Sequence, residues 1–231
     1  MKDFEELDIL FESQTIKPSF NYVHIFLAIL IFGENPEGLG RYRLKRELLV
    51  GEGTAKSLIY KLKEIGNFID INIKNLNGEQ QITSKGHVLT EKGLTILKKI
   101  KNKIPLLEEG DISVLKDFIL DSEISKSYFC LVKHSADQLK SGVEQRDAAI
   151  KVDGLGATCL IHNGNRLAFP SYSSTEDNLN IKINDKVQLY FKTKLINANI
   201  IFEKGDVIII GLGTETRKAR LAALNAAITL I

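Results

Sequence analysis

The sequence predicts an α+β or α/β protein of two domains, a helical domain that includes a short hairpin and a domain of mixed strands and helices. Three observations predict this fold class: a length of 231 residues, a hydrophobic fraction of 44%, and a boundary segment with Pro105 and Gly110, followed from Ser127 by a change to mixed strands and helices. Domains usually hold roughly 100–200 residues, so we place them at residues 1–104 and 112–231. The hydrophobic fraction is that of a chain with folded cores.

Several classes of protein are excluded by composition. The longest unbroken apolar run, Ile25–Phe32, is far shorter than the roughly 20 residues that cross a bilayer. Four acidic residues lie within the first eight positions, where a secretory signal carries positive charge. The two cysteines are too few to crosslink a chain of this length, which is typical of a reducing compartment. We therefore expect a cytoplasmic protein with no membrane partner.

The positive charge of the chain is concentrated in one block. Residues 41–103 carry a net charge of +8, residues 1–40 carry −5, and residues 104–231 carry −1, although the whole chain has only +2. A basic block in a nearly neutral chain can bind a polyanion locally. A solvated, lysine-rich surface is the alternative explanation, and charge alone does not separate the two.

The first domain is predicted to begin with three helices. Asn21–Gly33 is apolar nearly all round, which indicates a buried helix. Arg41–Val50 and Thr54–Ile65 have the spacing of amphipathic helices, with Thr54 as a candidate cap and Gly51–Gly53 as a tight link.

A hairpin and a fourth helix follow. Phe68–Lys74 alternates apolar and polar residues, the pattern of a strand, and Asn77-Gly78 is a strong tight-turn signal before a return strand. A second glycine turn is predicted at Ser84–Gly86. Thr90 is expected to cap the last helix, Glu91–Lys103.

This order of elements is that of a winged helix-turn-helix, which places one helix in the major groove of DNA and uses its hairpin to contact the neighbouring backbone. Thr54–Ile65 would be the recognition helix, with Leu58, Ile59, Leu62 and Ile65 facing inward. Outward polar residues can meet phosphates or base edges. The predicted DNA-binding residues are Arg41, Arg43, Lys45, Arg46, Thr54, Lys56, Ser57, Tyr60, Lys61, Lys74 and Lys85.

The assignments on the recognition helix have alternatives. Thr54, Lys56 and Ser57 could form an ordinary solvated helix face, and Tyr60 could be half-buried in packing. Some winged helices serve only protein contacts.

The pattern beyond Ile104–Asp111 is that of a mixed α/β layer domain. Helices are predicted at Ile112–Leu120, Asp137–Val152 and Glu215–Ile231. Strands are predicted at Tyr128–Lys133, Ala157–His162, Arg166–Phe169, Val187–Leu195 and Val207–Ile210.

Two groups of residues in this second domain are candidate ligand contacts. The first group lies on one predicted helix and would face a small ligand at the sheet edge; it comprises Glu144, Gln145, Arg146, Asp147 and Lys151. The alternative is an exposed helix face on which Asp147 and Lys151 form a modest i,i+4 pair.

The second group is Gly211, Gly213 and Thr214, between a strand and a helix, where backbone N–H groups could hold an anion. The segment lacks the third glycine of a dinucleotide fingerprint and the lysine of a phosphate loop. A capping role for Thr214 is the alternative.

The residues offer little support for catalysis or metal binding. Cys130, His134, Cys159 and His162 are residue types that bind zinc, but Cys159 and His162 would point to opposite faces of a strand. No cation adjoins either cysteine in sequence to lower the pKa of its thiol. No Ser/His/Asp order and no paired carboxylates are recognisable. We expect no metal, no cofactor and no enzymatic activity.

Two parts of the sequence resemble known regulators. Gly86–Gly93 (GHVLTEKG) resembles the G-H-x-L-T-x-x-G ending of many prokaryotic winged-helix regulators. Gly142–Lys151, Gly156–Thr158 and Gly205–Gly211, before an alanine-rich helix, resemble the second half of a group of archaeal transcriptional regulators. Those regulators pair a winged helix with a conserved domain of unknown function. The resemblance implies a regulator, and it implies no ligand or catalytic residue.

The function that these observations predict is a sequence-specific, DNA-binding transcriptional regulator. Residues 1–104 would bind double-stranded DNA, and residues 112–231 would sense a small-molecule effector or form a homodimer, because paired half-sites require two copies. The alternative is a small-molecule enzyme in the second domain with the winged helix docking a protein or RNA. A pocket holding Glu144, Arg146 and Asp147 would favour that alternative. An interaction scaffold with neither activity is a third possibility.

Overall fold

The chain folds into two compact units, Met1–Ile100 and Lys101–Ile231. The computed structural model describes residues 2–12, 18–76, 79–116, 126–170 and 183–231, with the backbone alone for residues 2, 73–76 and 79–85. The architecture is mixed α/β, with two antiparallel sheets. In the described ranges, no helix is both long enough and apolar enough to cross a bilayer.

The N-terminal unit is built around α1 (Tyr22–Glu34), whose central residues are buried on every side. This confirms the prediction from its unbroken apolar run. A 3₁₀-helical segment, Lys2–Phe11, precedes α1 and is kinked at Phe4, whose ring lies 4.8 Å from that of Phe26. The next helices, α2 (Arg41–Leu48) and α3 (Glu52–Tyr60), pack against each other and each buries its apolar side.

The predicted helix Thr54–Ile65 differs from the structure at both ends. Because α3 already begins at Glu52, Thr54 is not its cap, and the Thr54 hydroxyl instead lies 2.7 Å from the Ser19 hydroxyl. A π-helical turn, Lys61–Ile65, follows α3. A π-helical turn holds more residues than an α-helical one, so the position of Ile65 rotates out of the inward stripe. Ile65 is 37% exposed, and its predicted burial is wrong.

The hairpin consists of β1 (Ile69–Leu76) and β2 (Glu79–Leu89). β2 continues through the predicted second glycine turn. Gly86 makes this possible: it has a φ of +91°, and a Cβ there would lie 2.3 Å from the Leu39 carbonyl oxygen. Leu39 exchanges two backbone hydrogen bonds with His87, of 2.9 and 3.0 Å. The chain between α1 and α2 therefore joins the hairpin through a single β-bridge.

Thr90 caps α4 (Glu91–Lys103) as predicted. Its hydroxyl accepts the backbone N–H of Gly93 at 3.1 Å and donates to the Asn67 carbonyl at 2.6 Å. One side chain therefore satisfies a free amide at the helix start and ties the helix to the segment before the hairpin.

We expect Thr90→Ala to lower the free energy of unfolding by about 1–2 kcal/mol, because the cap bond is lost. Thr95→Ala is the matched control. The Thr95 hydroxyl donates to the Glu91 carbonyl inside the same helix, and alanine favours the helix, so we expect a change within about 0.5 kcal/mol. Chemical denaturation followed by circular dichroism measures both. Equal losses in the two variants would contradict the capping role.

The C-terminal unit is a five-stranded antiparallel sheet with helices on both faces. The strands, in spatial order, are β3 (Leu106–Gly110), β4 (Lys126–Val132), β7 (Val207–Gly213), β5 (Gly156–His162) and β6 (Leu167–Ala168). The helices are α5 (Ile112–Leu115), α6 (Val143–Ile150), α7 (Asp185–Asn197) and α8 (Thr216–Ile228), with a 3₁₀ turn at Ala136–Gln138. Residues 117–120 of one predicted helix lie outside the described residues.

Successive residues of β7 alternate between the two faces. Ile208 and Ile210 join a core formed with α7, whereas Gly211, on the other face, lies against α8.

The predicted strand Val187–Leu195 is wrong, because this segment lies within α7. Its apolar residues satisfy a period of two, but only those at every fourth position, Val187, Phe191 and Leu195, are buried. Leu189 is 65% exposed. The sequence contains the helix signal in Asn184, whose side chain accepts the Lys186 N–H at 2.7 Å as an N-cap.

Candidate functional site

The helix α2 carries four basic side chains that differ in their exposure and ion pairing. Arg43 and Arg46 are exposed and Lys45 is half-buried. None of the three forms an ion pair with a residue in the described part of the chain. Arg41 differs, because its Nη2 lies 3.3 Å from the Glu52 Oε1 at the start of α3. The three other cations therefore have no partner within the fold as described.

The outer face of α3 presents polar and aromatic groups. Lys56 and Tyr60 are four residues apart, which places them on one stripe of the helix. Lys56 is exposed, Tyr60 is 57% exposed and Ser57 is half-buried beside them. Tyr60 is therefore a surface residue rather than a packing residue.

Two other predicted DNA contacts, Lys61 and Thr54, already form hydrogen bonds within the N-terminal unit. The Lys61 ammonium donates to the Glu12 carbonyl at 2.6 Å, and Thr54 contacts Ser19. Lys74 lies on β1 and Lys85 on β2, and their side chains lie outside the described part. These bonds were not predictable, because their partners are 35 and 49 residues away.

A tight link brings α2 and α3 together. Leu49 ends α2 in the left-handed conformation, with a φ of +54°, a geometry that costs a non-glycine residue roughly 1–2 kcal/mol. The Arg41–Glu52 ion pair joins the starts of the two helices. The basic residues of α2 and the exposed stripe of α3 therefore belong to one pair of packed helices.

His87 lies where the hairpin meets Leu39 rather than at its tip. Burial, aided by the nearby charge of Lys63, lowers the pKa of His87. Its Nδ1 is buried with no hydrogen-bond partner in the described part of the chain. A neutral imidazole at this position adds no positive charge to the surface.

The five candidate ligand contacts on α6 do not converge on one site. Gln145 is buried, and its Nε2 donates to the Thr229 hydroxyl at 2.7 Å, so its predicted role of facing a ligand is wrong. The other four side chains, those of Glu144, Arg146, Asp147 and Lys151, are exposed. Arg146 forms an ion pair with the adjacent Asp147 at 2.9 Å.

Gly211 and Gly213 serve packing rather than an anion cradle. A Cβ on Gly211 would lie 2.2 Å from the Ala223 backbone nitrogen, and one on Gly213 would lie 2.7 Å from that of Ala219. The two glycines therefore let α8 approach β7 closely. Thr214 is exposed and does not cap α8, whose N-cap is Glu215.

The two cysteines do not form a zinc site with His162. Cys130 and Cys159 both flank Ile209 of β7 in register, and burial raises the pKa of both thiols, that of Cys159 to about 12. His162 stacks on Phe202, with ring centroids 4.7 Å apart, on the sheet face that Cys159 does not occupy.

A cluster of charged residues that the sequence did not predict surrounds Asp206. Asp206 is fully buried and accepts three hydrogen bonds, from the Lys133 ammonium at 2.8 Å and from the backbone N–H groups of His134 and Glu203 at 3.1 and 2.8 Å. Burial lowers the pKa of Lys133, but its bonds to Asp206 and Glu203 outweigh burial and raise it overall. No sequence signal linked these residues, because Lys133 and Asp206 are 73 positions apart.

The same cluster has the residue types of a metal site but does not fit one. His134, Glu203 and Asp206 bring their potential ligand atoms within 4.8 Å of one another. The Lys133 ammonium bonds to both carboxylates, so a cation already lies between them and offsets one of their two negative charges. We read the cluster as a structural ion pair.

A cavity of about 620 Å³ opens between α7 and the ends of β5 and β6. Its lining includes His162, Arg166 and Lys192 together with apolar side chains, and none of the candidate α6 residues. The cavity was not predictable from the sequence, because its residues come from segments that are remote along the chain.

The chain is similar to a known family over its C-terminal half and to a solved structure over most of its length. Residues 124–230 match the family described as "Domain of unknown function (DUF4443)". The solved structure of the hypothetical protein PH0730 from Pyrococcus horikoshii OT3 is similar, with a TM-score of 0.64 and 26% sequence identity over 92% of this chain and 93% of that chain. No curated protein sequence matches the chain significantly. These findings fit the expected C-terminal domain of unknown function and the expected likeness to an archaeal protein.

Proposed function

We propose that the N-terminal unit is a winged helix-turn-helix that binds double-stranded DNA, and that the chain is a transcriptional regulator. The observation that carries the proposal is the group of basic side chains Arg43, Lys45, Arg46 and Lys56. They lie on two packed helices and form no ion pair in the described part of the chain. Phosphate groups would supply the missing negative charge.

The order of elements supports this assignment. α1 is followed by the bridge residue Leu39, then by α2, a tight link, α3 and the β1–β2 hairpin. In a winged helix, the second helix of the pair lies in the major groove and the hairpin contacts the adjacent backbone. Here α3 would be that helix.

The surface of α3 suits the major groove. Lys56, Ser57 and Tyr60 offer a cation, a hydroxyl and an amphipathic ring on one side of the helix, and each can contact a base edge or a phosphate. Arg43 and Arg46 of α2 would bind the flanking phosphates. Arg41 and Lys61 would contribute less, because each is already bonded within the unit.

The C-terminal unit would provide dimerisation or effector binding. Paired half-sites in DNA are read by two copies of a regulator, so we propose a homodimer. The alanine stripe of α8, including Ala219, Ala222 and Ala223, is buried in its own unit. A contact between copies would therefore use another surface.

The test is a fluorescence polarisation titration of the full chain into a labelled duplex taken from upstream of its own gene. We expect saturable binding whose affinity falls with salt, with a log–log slope of about −4 to −6, since each phosphate contact contributes roughly −0.9. An unrelated duplex should bind about 10³-fold more weakly. Absence of salt-dependent binding would overturn the proposal, and equal affinity for both duplexes would overturn its sequence-specific part.

A further inference from the structure

The cavity beside α7 combines an apolar wall with cationic side chains. Leu189 and Ile196 are seven residues apart, and Lys192 lies between them on the same stripe of the helix. Leu189 and Ile196 are 65% and 59% exposed, an unusual state for large apolar side chains in a concave surface. Phe202, stacked on His162, continues this wall.

The shape of the cavity is held by its own hydrogen bonds. Gln188 accepts the Leu167 N–H at 2.9 Å and donates to the Leu167 carbonyl at 2.7 Å, which fixes α7 against β6. The His162 Nδ1 bonds the Glu203 carbonyl at 3.1 Å, which makes Nδ1 the donor and leaves Nε2 as an acceptor when the ring is neutral. A site with walls fixed in this way needs little reorganisation to accept a ligand.

The charge of the cavity favours an anion. Arg166 and Lys192 line it, are exposed, and form no ion pair with any residue that the structure describes. Among the residues that the structure describes, Asp185 is the one acid in the lining. It precedes Lys192 by seven residues, a rise of about 10 Å along the helix, so it does not neutralise that ammonium. The cavity volume of about 620 Å³ lies within the range of small-molecule sites, roughly 300–1,000 Å³.

We infer that this cavity binds an organic monocarboxylate with an apolar body. The carboxylate bonds to Arg166 and Lys192, and the hydrocarbon part lies along Leu189, Ile196 and Phe202. The inference that the anion binds depends only on the geometry and charge of the cavity. Its use as an effector of DNA binding rests on the proposed function.

Isothermal titration of the full chain with decanoate tests the inference. We expect saturable binding with one site per chain. The variant R166Q/K192Q should bind decanoate about 10-fold more weakly, because each exposed charge contributes about 3-fold. I196S should weaken binding by about 3-fold or more through lost apolar contact. All three side chains are exposed, so circular dichroism should show an unchanged fold.

Two controls make the result specific. K140Q/K151Q removes two exposed lysines outside the cavity lining and should leave decanoate binding unchanged. Decyltrimethylammonium has the same tail and the opposite charge, and it should bind at least 10-fold more weakly than decanoate.

Three outcomes would overturn the inference: no saturable decanoate binding, equal affinity of R166Q/K192Q and the wild type, or equal affinity for the cationic ligand. The titration contains no DNA, so its outcome is separate from that of the polarisation experiment. Decanoate binding without DNA binding would support the anion site and contradict the proposed DNA-binding function. DNA binding without decanoate binding would contradict the anion site and support the proposed DNA-binding function.

Discussion

Replacement of Arg43, Lys45, Arg46 and Lys56 by glutamine is expected to weaken duplex DNA binding about 100- to 1,000-fold near 0.1 M salt. The four side chains have no ion-pair partner among the described residues, so their charge is available to phosphates. Each lost contact removes roughly 0.9 from the salt slope, so the slope should become shallower by about 3 to 4. Polarisation titrations at several salt concentrations measure both quantities.

A matched variant separates a local site from general electrostatic attraction. K140Q/K151Q/K186Q/K204Q removes the same net charge from exposed positions in the C-terminal unit. We expect its salt slope to stay within about one unit of the wild type, since none of the four would contact phosphate. If the two quadruple variants lost affinity equally, the α2–α3 surface would not be the DNA site.

Asp206→Ala is expected to lower the free energy of unfolding by about 3–5 kcal/mol. The substitution leaves the Lys133 ammonium without its buried partner. It also leaves the N–H groups of His134 and Glu203 without their acceptor. Chemical denaturation followed by circular dichroism gives the loss. Asp137→Ala, which removes an exposed acid shortly after Lys133 and His134 in the sequence, should change stability by no more than about 0.5 kcal/mol.

The pH dependence of stability gives a second measurement of this cluster. The pKa of Lys133 is raised in the folded protein, so its contribution is complete below the ordinary lysine pKa and is lost as the pH rises through the higher folded value. The wild type should therefore lose more stability than Asp206→Ala at strongly alkaline pH. Parallel pH profiles for the two proteins would contradict the role of the ion pair.

Much of the secondary structure was predictable because its signals are local. The apolar run of α1, the Thr90 cap of α4 and the alanine-rich α8 are each specified within a few residues. The same reasoning failed for α7, where the apolar residues fit a period of two as well as one of four. Packing of every fourth residue into the core selected the helix.

The candidate surface was predictable in part for the same reason. Helical periodicity predicted that Lys56 and Tyr60 share an outer face, and the structure places both there. Periodicity gave no indication that Arg41 would bond Glu52 or that Lys61 would bond the Glu12 carbonyl. Those bonds depend on how the helices pack, and a local pattern contains no information about distant partners.

The amino-acid sequence alone determined the concentration of charge in residues 41–103, the order of elements around it and the likeness of the second half to archaeal proteins. Only the tertiary structure decided which cations remain unpaired, that Gln145 and Gly211 serve packing, and that His162, Arg166 and Lys192 line one cavity. The reason is physical. Charge and periodicity are properties of neighbouring residues, whereas burial, ion pairing and cavities arise where segments remote along the chain come into contact.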